Sequence, residues 1–300
     1  MSVPWRQRVI AVVGGDRREQ EIARRAAATG ADVRAYGFPW PKGGINRATL
    51  CSSAKAALNG AHYGLLPIPG LADDGALFAP SVAQPIFVGV PELKSMAKGA
   101  HLILGAADHR LRAAAEQAGV GVAEYEGDRE LMLRRGPAIV EGAVGKIIEL
   151  TKITIHNAAI GVVGQGTIGS LLTRTLVLLG AEVLVAARSP VQRAAAEAIG
   201  AAAVHLDQLP EHAHRLSMLV STVPVQVIGD EVLKRLPDAS LVMDLAVPPG
   251  GVDLDRAAQL GHVTCWARGL GDRAPITVGA SQWDGIHRRI EKIEEAVHES

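Results

Sequence analysis

The chain has 300 residues, enough for two domains with separate cores; 48% are apolar and only 3% aromatic, so those cores rest on Ala, Val, Leu and Ile. Acids and bases balance at 31 each, which removes the electrostatic reason to expect nucleic acid or an anionic membrane as a partner. No run approaches the roughly 18 uncharged apolar residues of a membrane helix, and the Val9–Val13 run is too short for a signal-peptide core. The expectation is a cytoplasmic protein. Its two cysteines, Cys51 and Cys265, match no metal spacing and are expected to be buried and reduced.

The first predicted unit is VIAVVGGDRREQEIARRAAATGADVRAYGF, Val9 to Phe38. It reads as a strand, a Gly14-Gly15 turn, a helix closed at Gly30 and a strand over Asp32 to Tyr36. Further strands are predicted at Gly64–Ile68, Ile86–Val90, His101–Gly105 and Gly121–Tyr125, with a helix through Gln117 between the last two. Ile139–Leu150 has helical periodicity and reads as a connector between domains. The second unit is GVVGQGTIGSLLTRTLVLLGAEVLVAARSP, Gly161 to Pro190, again strand, glycine turn, helix closed at Gly180, and strand over Glu182 to Ala186. A helix to Ile199, a weak strand near Ala203 and strands at Met218–Thr222, Leu241–Leu245 and Val263–Trp266 follow, and an amphipathic helix over Ser281–His298 ends the chain. Strands alternating with helices of this length predict parallel sheets with right-handed crossovers. The fold class expected is α/β, two Rossmann-like or flavodoxin-like domains with an interdomain cleft. The boundaries are 1–138 for an N-terminal domain on the substrate side, 139–280 for a dinucleotide-binding domain, and 281–300 for a helix returning to the first.

Gly164-Gln165-Gly166-Thr167-Ile168-Gly169 fits G-x-G-x-x-G and lies where the motif must lie, after a strand and before a helix. Gly164 permits the tight turn, Gly166 lets a pyrophosphate approach the backbone, and Gly169 lets helix and strand close. The phosphate then meets free N–H groups at the helix start. Roughly 20 residues on, an Asp or Glu would hold the ribose hydroxyls of NAD. Here Arg188 and Ser189 take that place, with Arg193 one helical turn later. A guanidinium and a hydroxyl suit the 2′-phosphate of NADP; a solvated surface arginine is the plainer alternative. Thr222, Val223 and Pro224, and then Leu245 and Ala246, follow later strands and are expected beside the nicotinamide end. Asp244 reads as a loop cap or as a functional acid.

These residues do not stand alone. Gly14-Gly-Asp-Arg-Arg18 with Glu21, Glu141-Gly142, Thr154-Ile-His156, Leu179-Gly-Ala181, Ala187-Arg-Ser189, Thr222-x-Pro224, Asp244-Leu-Ala246, Pro249-Gly-Gly251 with Asp253, and Gly269-Leu270 with Ala274-Pro275-x-Thr277 keep an order and spacing. Together with the glycine loop they resemble the dipicolinate synthase A-subunit family over nearly the whole chain. The resemblance implies an NADP-dependent oxidoreductase that oxidises dihydrodipicolinate, or a related cyclic carboxylate, to a planar dicarboxylate. It also implies, as partner, a flavoprotein-like B subunit, and a homo-oligomer is expected. The chain departs from the family pattern at Thr167-Ile168, Ala138-Ile139, Val247-Pro248 and Ile276, where the family carries Arg-Thr, Pro-Thr, Ser-Arg and Lys. Most of these changes swap polar for apolar, and they bear on the substrate rather than the cofactor.

A dicarboxylate needs cations or N–H donors at both ends. Arg18 matches the family arginine and is the first candidate; Arg17 beside it cannot share its helix face. Arg135, Arg268 and Arg273 are candidate replacements for the missing cations, each read as readily as a solvated residue. Glu141 is the candidate general base for the ring proton, or equally an acid at a helix N-terminus. His156 precedes the first strand of the second unit, at the end away from the glycine loop, and reads as structural. The remaining histidines follow no metal spacing, and no metal is expected. Two alternatives stand beside the leading one: a cofactor-binding component of a two-subunit synthase without turnover of its own, and a different two-domain NADP reductase.

Overall fold

The computed structural model describes residues 3–299. Positions 1, 2 and 300 of the expected domain ranges lie outside the described residues. The chain divides into two compact units, one made of the residues up to Arg135 together with those from Ala274 onward, the other of Gly136–Arg273.

The first unit holds six parallel strands, β1 (Val9–Val13), β2 (Asp32–Tyr36), β3 (Ala48–Leu50), β4 (Tyr63–Leu65), β5 (His101–Leu104) and β6 (Gly121–Glu124), in the order β3-β2-β1-β4-β5-β6. Its early helices are α1 (Arg17–Ala28), α2 (Ala54–Leu58), α3 (Val90–Leu93) and α4 (His109–Ala118). Strand β1, all Val, Ile and Ala, is fully buried beyond its first residue, as a central parallel strand covered on both faces must be. Its side chains alternate between two cores: Ile10 and Val12 pack with Ile22 and Ala26 of α1, and Ala11 and Val13 pack with Leu58, Leu102 and Leu111.

Helix α5 (Arg129–Leu150) contains the unit boundary. It starts ten residues before the predicted connector and carries Pro137 in its interior. Sequence reasoning stopped at that proline because it removes one backbone donor; here the helix runs through it. Glu141 therefore sits in mid-helix, and the reading of it as an N-terminal acid falls away.

The second unit repeats the plan. Strands β7 (Ala159–Val163), β8 (Glu182–Ala186), β9 (Ala202–Val204), β10 (Met218–Ser221), β11 (Leu241–Asp244) and β12 (Val263–Trp266) lie parallel in the order β12-β11-β10-β7-β8-β9. They are joined by α6 (Thr167–Leu178), α7 (Pro190–Glu197), α8 (Leu209–His212), α9 (Asp230–Arg235) and α10 (Leu254–Gln259). In both sheets the order reverses beside the first strand of the unit, the topological switch point where open α/β sheets bind ligands.

Helix α11 (Pro275–Glu299) belongs to the first unit and packs along α1. Gly279 makes that approach possible, since a Cβ there would lie 2.6 Å from the Arg18 carbonyl oxygen. The helix is tied down by Glu294, which accepts hydrogen bonds from Arg8 Nε at 2.5 Å, Arg8 Nη2 at 2.6 Å and the Tyr63 hydroxyl. Burial and the Glu294 carboxylate push the Tyr63 phenol well above its ordinary range.

Two predicted elements differ in detail. Ile86–Val90 is not a strand: Ile86 forms a lone antiparallel bridge to Leu77, and Gly89 is the N-cap of α3. Strand β3, short and at the sheet edge, was not predicted. Both cysteines are free thiols and only half-buried, rather than buried.

Candidate functional site

The two glycine turns look alike in sequence and end differently in space. After β1, Asp16 caps α1: its side chain accepts from the Arg18 backbone N–H at 2.9 Å, and Glu19 Oε2 accepts from the Asp16 N–H at 2.7 Å. This reciprocal box satisfies the helix start with the chain's own carboxylates. After β7 the N-cap of α6 is Gly166, and no side chain caps the helix. The first-turn N–H groups are thus left for an external acceptor. Of the two turns, the one in the second unit offers an anion its helix N-terminus.

The glycines of that loop divide the work by geometry. Gly164 has φ +91°, and a Cβ on it would sit 2.7 Å from Thr222 Oγ1 and Val223 Cγ1. At Gly169 a Cβ would overlap the Gly164 carbonyl oxygen, so only glycine lets α6 close on the turn. Gly166 is exposed and has open space where a Cβ would be, the opening a pyrophosphate needs. Gln165 is buried and its Oε1 accepts from the Thr173 hydroxyl at 3.0 Å, anchoring the loop to α6. Thr167 and Ile168 stand in the first turn of α6. Thr222 Oγ1 donates to the Val163 carbonyl at 3.1 Å and so ties the end of β10 to that of β7, across the switch point. Val223 is half-buried and is followed by Pro224.

Asp244 is a loop cap. It is 1% exposed; Oδ1 accepts from the Ala246 N–H at 2.9 Å, and Oδ2 from Gly251 and Val252 at 2.6 and 3.3 Å. Leu245 and Ala246 are thereby held at the end of β11. The loop returns through Gly251, where a Cβ would collide with Ser221 Oγ.

At the end of β8 stand Ala187, Arg188 and Ser189, with no acid among them. Ser189 Oγ accepts from the Gln192 N–H as the cap of α7. Arg193 Nη1 donates to the Ala187 and Arg188 carbonyls at 2.9 and 2.7 Å, which makes it a brace for the turn. The Arg188 side chain is exposed and pairs with no carboxylate among the described residues.

The catalytic candidates sit in paired environments. Arg18 is half-buried, and its Nε and Nη2 grip Asp16 at 2.9 and 2.6 Å. Arg17 is exposed. Burial pushes the Asp16 carboxyl up, but the hydrogen bonds and charge of Arg18 outweigh it and hold the group below its usual range. Burial pushes Glu19 up to about 8, with the Asp16 charge adding to it and Arg18 opposing. Glu141 forms an ion pair with Arg273 in which both side chains are more than half exposed. Arg135 is buried against Glu126. Asp16 and Glu19 escaped the sequence reading of this region, although D-x-x-E before an apolar helix is the signature of their capping box. His156 lies beside Gly180, at the far end of α6 from the glycine loop.

Comparison with known proteins settles the family. Residues 9–126 match the N-terminal domain of the dipicolinate synthase A-subunit, and residues 138–246 match the NAD-binding domain of D-isomer specific 2-hydroxyacid dehydrogenases. The dipicolinate synthase A-subunit of Bacillus subtilis is 28% identical over 271 residues, which is 90% of this chain and 91% of the relative. The chain belongs to the dipicolinate synthase A-subunit family. The crystal structure of the Bacillus subtilis protein superposes with a TM-score of 0.84 at 26% identity, covering 96% of this chain and 97% of that one. The crystal structure of the Bacillus halodurans A-subunit, at 24% identity, shares the fold with a TM-score of 0.87 over 94% and 97% of the two chains. The family fold thus carries a dehydrogenase-type domain for a nicotinamide dinucleotide, and the chain is an oxidoreductase by family. Among the described residues, no helix is long and apolar enough to cross a membrane.

Proposed function

We propose that the protein is an NADP-dependent oxidoreductase that oxidises dihydrodipicolinate, or a related cyclic carboxylate, to the aromatic dicarboxylate. The observation that carries the reading is the uncapped start of α6, with open space above Gly166 and, at the end of β8, an Arg188 that pairs with no carboxylate among the described residues. When bound, the nicotinamide supplies the hydride acceptor. The chain's own residues do the rest. Gly164 to Gly169 present backbone donors to the pyrophosphate. Arg188 takes the 2′-phosphate with charge-assisted hydrogen bonds, and Arg193 and Ser189 hold the turn that presents it. Thr222, Val223, Pro224, Leu245 and Ala246 line the nicotinamide half.

Arg18 is our proposed anchor for a substrate carboxylate and Glu141 our proposed acceptor of the ring proton. The overall change balances: the dihydropyridine ring loses a hydride to NADP and a proton to the base, and becomes aromatic. The name of the relatives also brings to this chain a partner, the B subunit, and with it the expectation of a cytoplasmic homo-oligomer. A second reading, a cofactor-binding component without turnover of its own, is favoured by the pairing of both catalytic candidates, Arg18 with Asp16 and Glu141 with Arg273.

Calorimetric titration with NADP and NAD tests the cofactor assignment. NADP should bind at least about tenfold more tightly, and Arg188→Ala should erase most of the difference, because one such contact contributes roughly 1.5–3 kcal/mol. Equal affinities in the unaltered protein would remove the assignment.

A further inference from the structure

Among the arginines weighed for the second carboxylate of the substrate, the structure separates the engaged from the available. Arg273 is paired with Glu141, and Arg135 is buried against Glu126. Arg268 is exposed, and no acid pairs with it among the described residues. Its guanidinium carbon lies 5.9 Å from the centroid of the Trp266 ring. This contact steadies the cation without using its in-plane N–H donors, which a carboxylate needs.

The platform under Arg268 is fixed. The Trp266 indole N–H donates to the Ala246 carbonyl at 2.9 Å, and Asp244 in turn pins that loop through Ala246, Gly251 and Val252. Trp266 is the last residue of β12 and stands level with Asp244 of β11. Arg268 therefore leaves the C-terminal edge of the sheet, two strands from β10, or about 10 Å at ordinary strand spacing. It stands on the side of the switch point opposite Arg188, which follows β8. The neighbouring Val247 is 65% exposed, so this rim otherwise offers an apolar surface.

We infer that Arg268, held on Trp266, is a carboxylate-binding and specificity-determining residue for a planar, ring-bearing dicarboxylate. The arginine takes one carboxylate, and the indole and Val247 give the ring an apolar floor. This rests on the proposed substrate reading and adds to it the group that distinguishes a dicarboxylate from a monocarboxylate.

The test is calorimetric titration of the NADP-loaded full chain with pyridine-2,6-dicarboxylate, pyridine-2-carboxylate and non-aromatic dicarboxylates, in the unaltered protein, Arg268→Gln, Arg273→Gln and Trp266→Phe. Arg268→Gln should weaken the pyridine dicarboxylate by roughly 10- to 100-fold, leave the monocarboxylate within about twofold and leave NADP unchanged; Arg273→Gln should have little effect. Trp266→Phe should cost less, because a phenyl face still supports the cation while the indole N–H bond to Ala246 is lost. If non-aromatic dicarboxylates bind in an Arg268-dependent way and the pyridine ones do not, the carboxylate role stands in part but the ring specificity and the substrate reading fall. Equal binding of the pyridine dicarboxylate to the unaltered protein and Arg268→Gln would overturn the inference while sparing the substrate reading. Failure of every carboxylate to bind the NADP-loaded protein would overturn both.

Discussion

Replacing Glu19 by Gln probes a buried acid at the turn that shapes the first unit. Glu19 is 2% exposed, and one oxygen accepts from the Asp16 N–H at 2.7 Å. Its carboxyl sits at about 8 in the folded chain against an ordinary 4.5, with Arg18 and Asp16 as the charged groups acting on it. Between those values the unfolded chain has released the proton and the folded chain has kept it. A raised acid of this kind supports the fold fully below about pH 4.5, and that support is lost as pH climbs toward 8. The slope is about −1.4 kcal/mol per pH unit, or roughly 4 kcal/mol across the window. Asp16, held below its usual range, titrates on the acid side of the window and does not mask the effect. Gln keeps an acceptor for the Asp16 N–H but has no proton to lose. Urea unfolding at a series of pH values should therefore show the unaltered protein weakening from about pH 5 to about pH 8 and Glu19→Gln with a flatter profile. The gap should favour the variant increasingly at the alkaline end. Parallel profiles would refute the reasoning, because they would mean that Glu19 is ionised in the folded chain.

Two other side chains carry load that unfolding measurements should register. Asp244→Ala should cost about 3 kcal/mol by thermal or urea unfolding, because it strands buried N–H groups at Ala246, Gly251 and Val252; Asp244→Asn, which keeps one acceptor, should cost about half. Glu294→Ala should destabilise the first unit by roughly 3 kcal/mol, because Arg8 and Tyr63 lose their shared acceptor. The loss should appear as faster hydrogen exchange along α11.

The doubled α/β plan was legible because its signals are local and repeated. The apolar runs Val9–Val13 and Ala159–Val163 each meet a glycine turn and then an amphipathic helix, and that sequence of periods has few other solutions. The cofactor loop was legible because Gly164, Gly166 and Gly169 each answer a steric demand that spacing alone reveals. The early start of α5 was not, since Pro137 reads locally as a stop while helical neighbours on both sides carry the chain through it. Strand β3 escaped because three half-exposed or exposed residues at a sheet edge have no period to find. Ile86–Val90 misled because an apolar run ending at Pro91 reads as a strand, whereas Pro91 also suits the first turn of a helix. The pairings of Arg273 with Glu141 and of Arg8 with Glu294 join residues 132 and 286 positions apart, and no sequence pattern announces them. These long-range pairings separate the engaged arginines from Arg188 and Arg268.

The central claim is turnover of a cyclic dicarboxylate by this chain with NADP. The direct measurement follows nicotinamide absorbance and dipicolinate formation together, with dihydrodipicolinate as substrate, for the chain alone and with a flavoprotein-like B subunit. The account predicts NADPH and dipicolinate appearing in equal amounts, and the rate falling in Arg188→Ala and recovering at high NADP. Tight NADP binding without any reduction, with the B subunit present or absent, would contradict it.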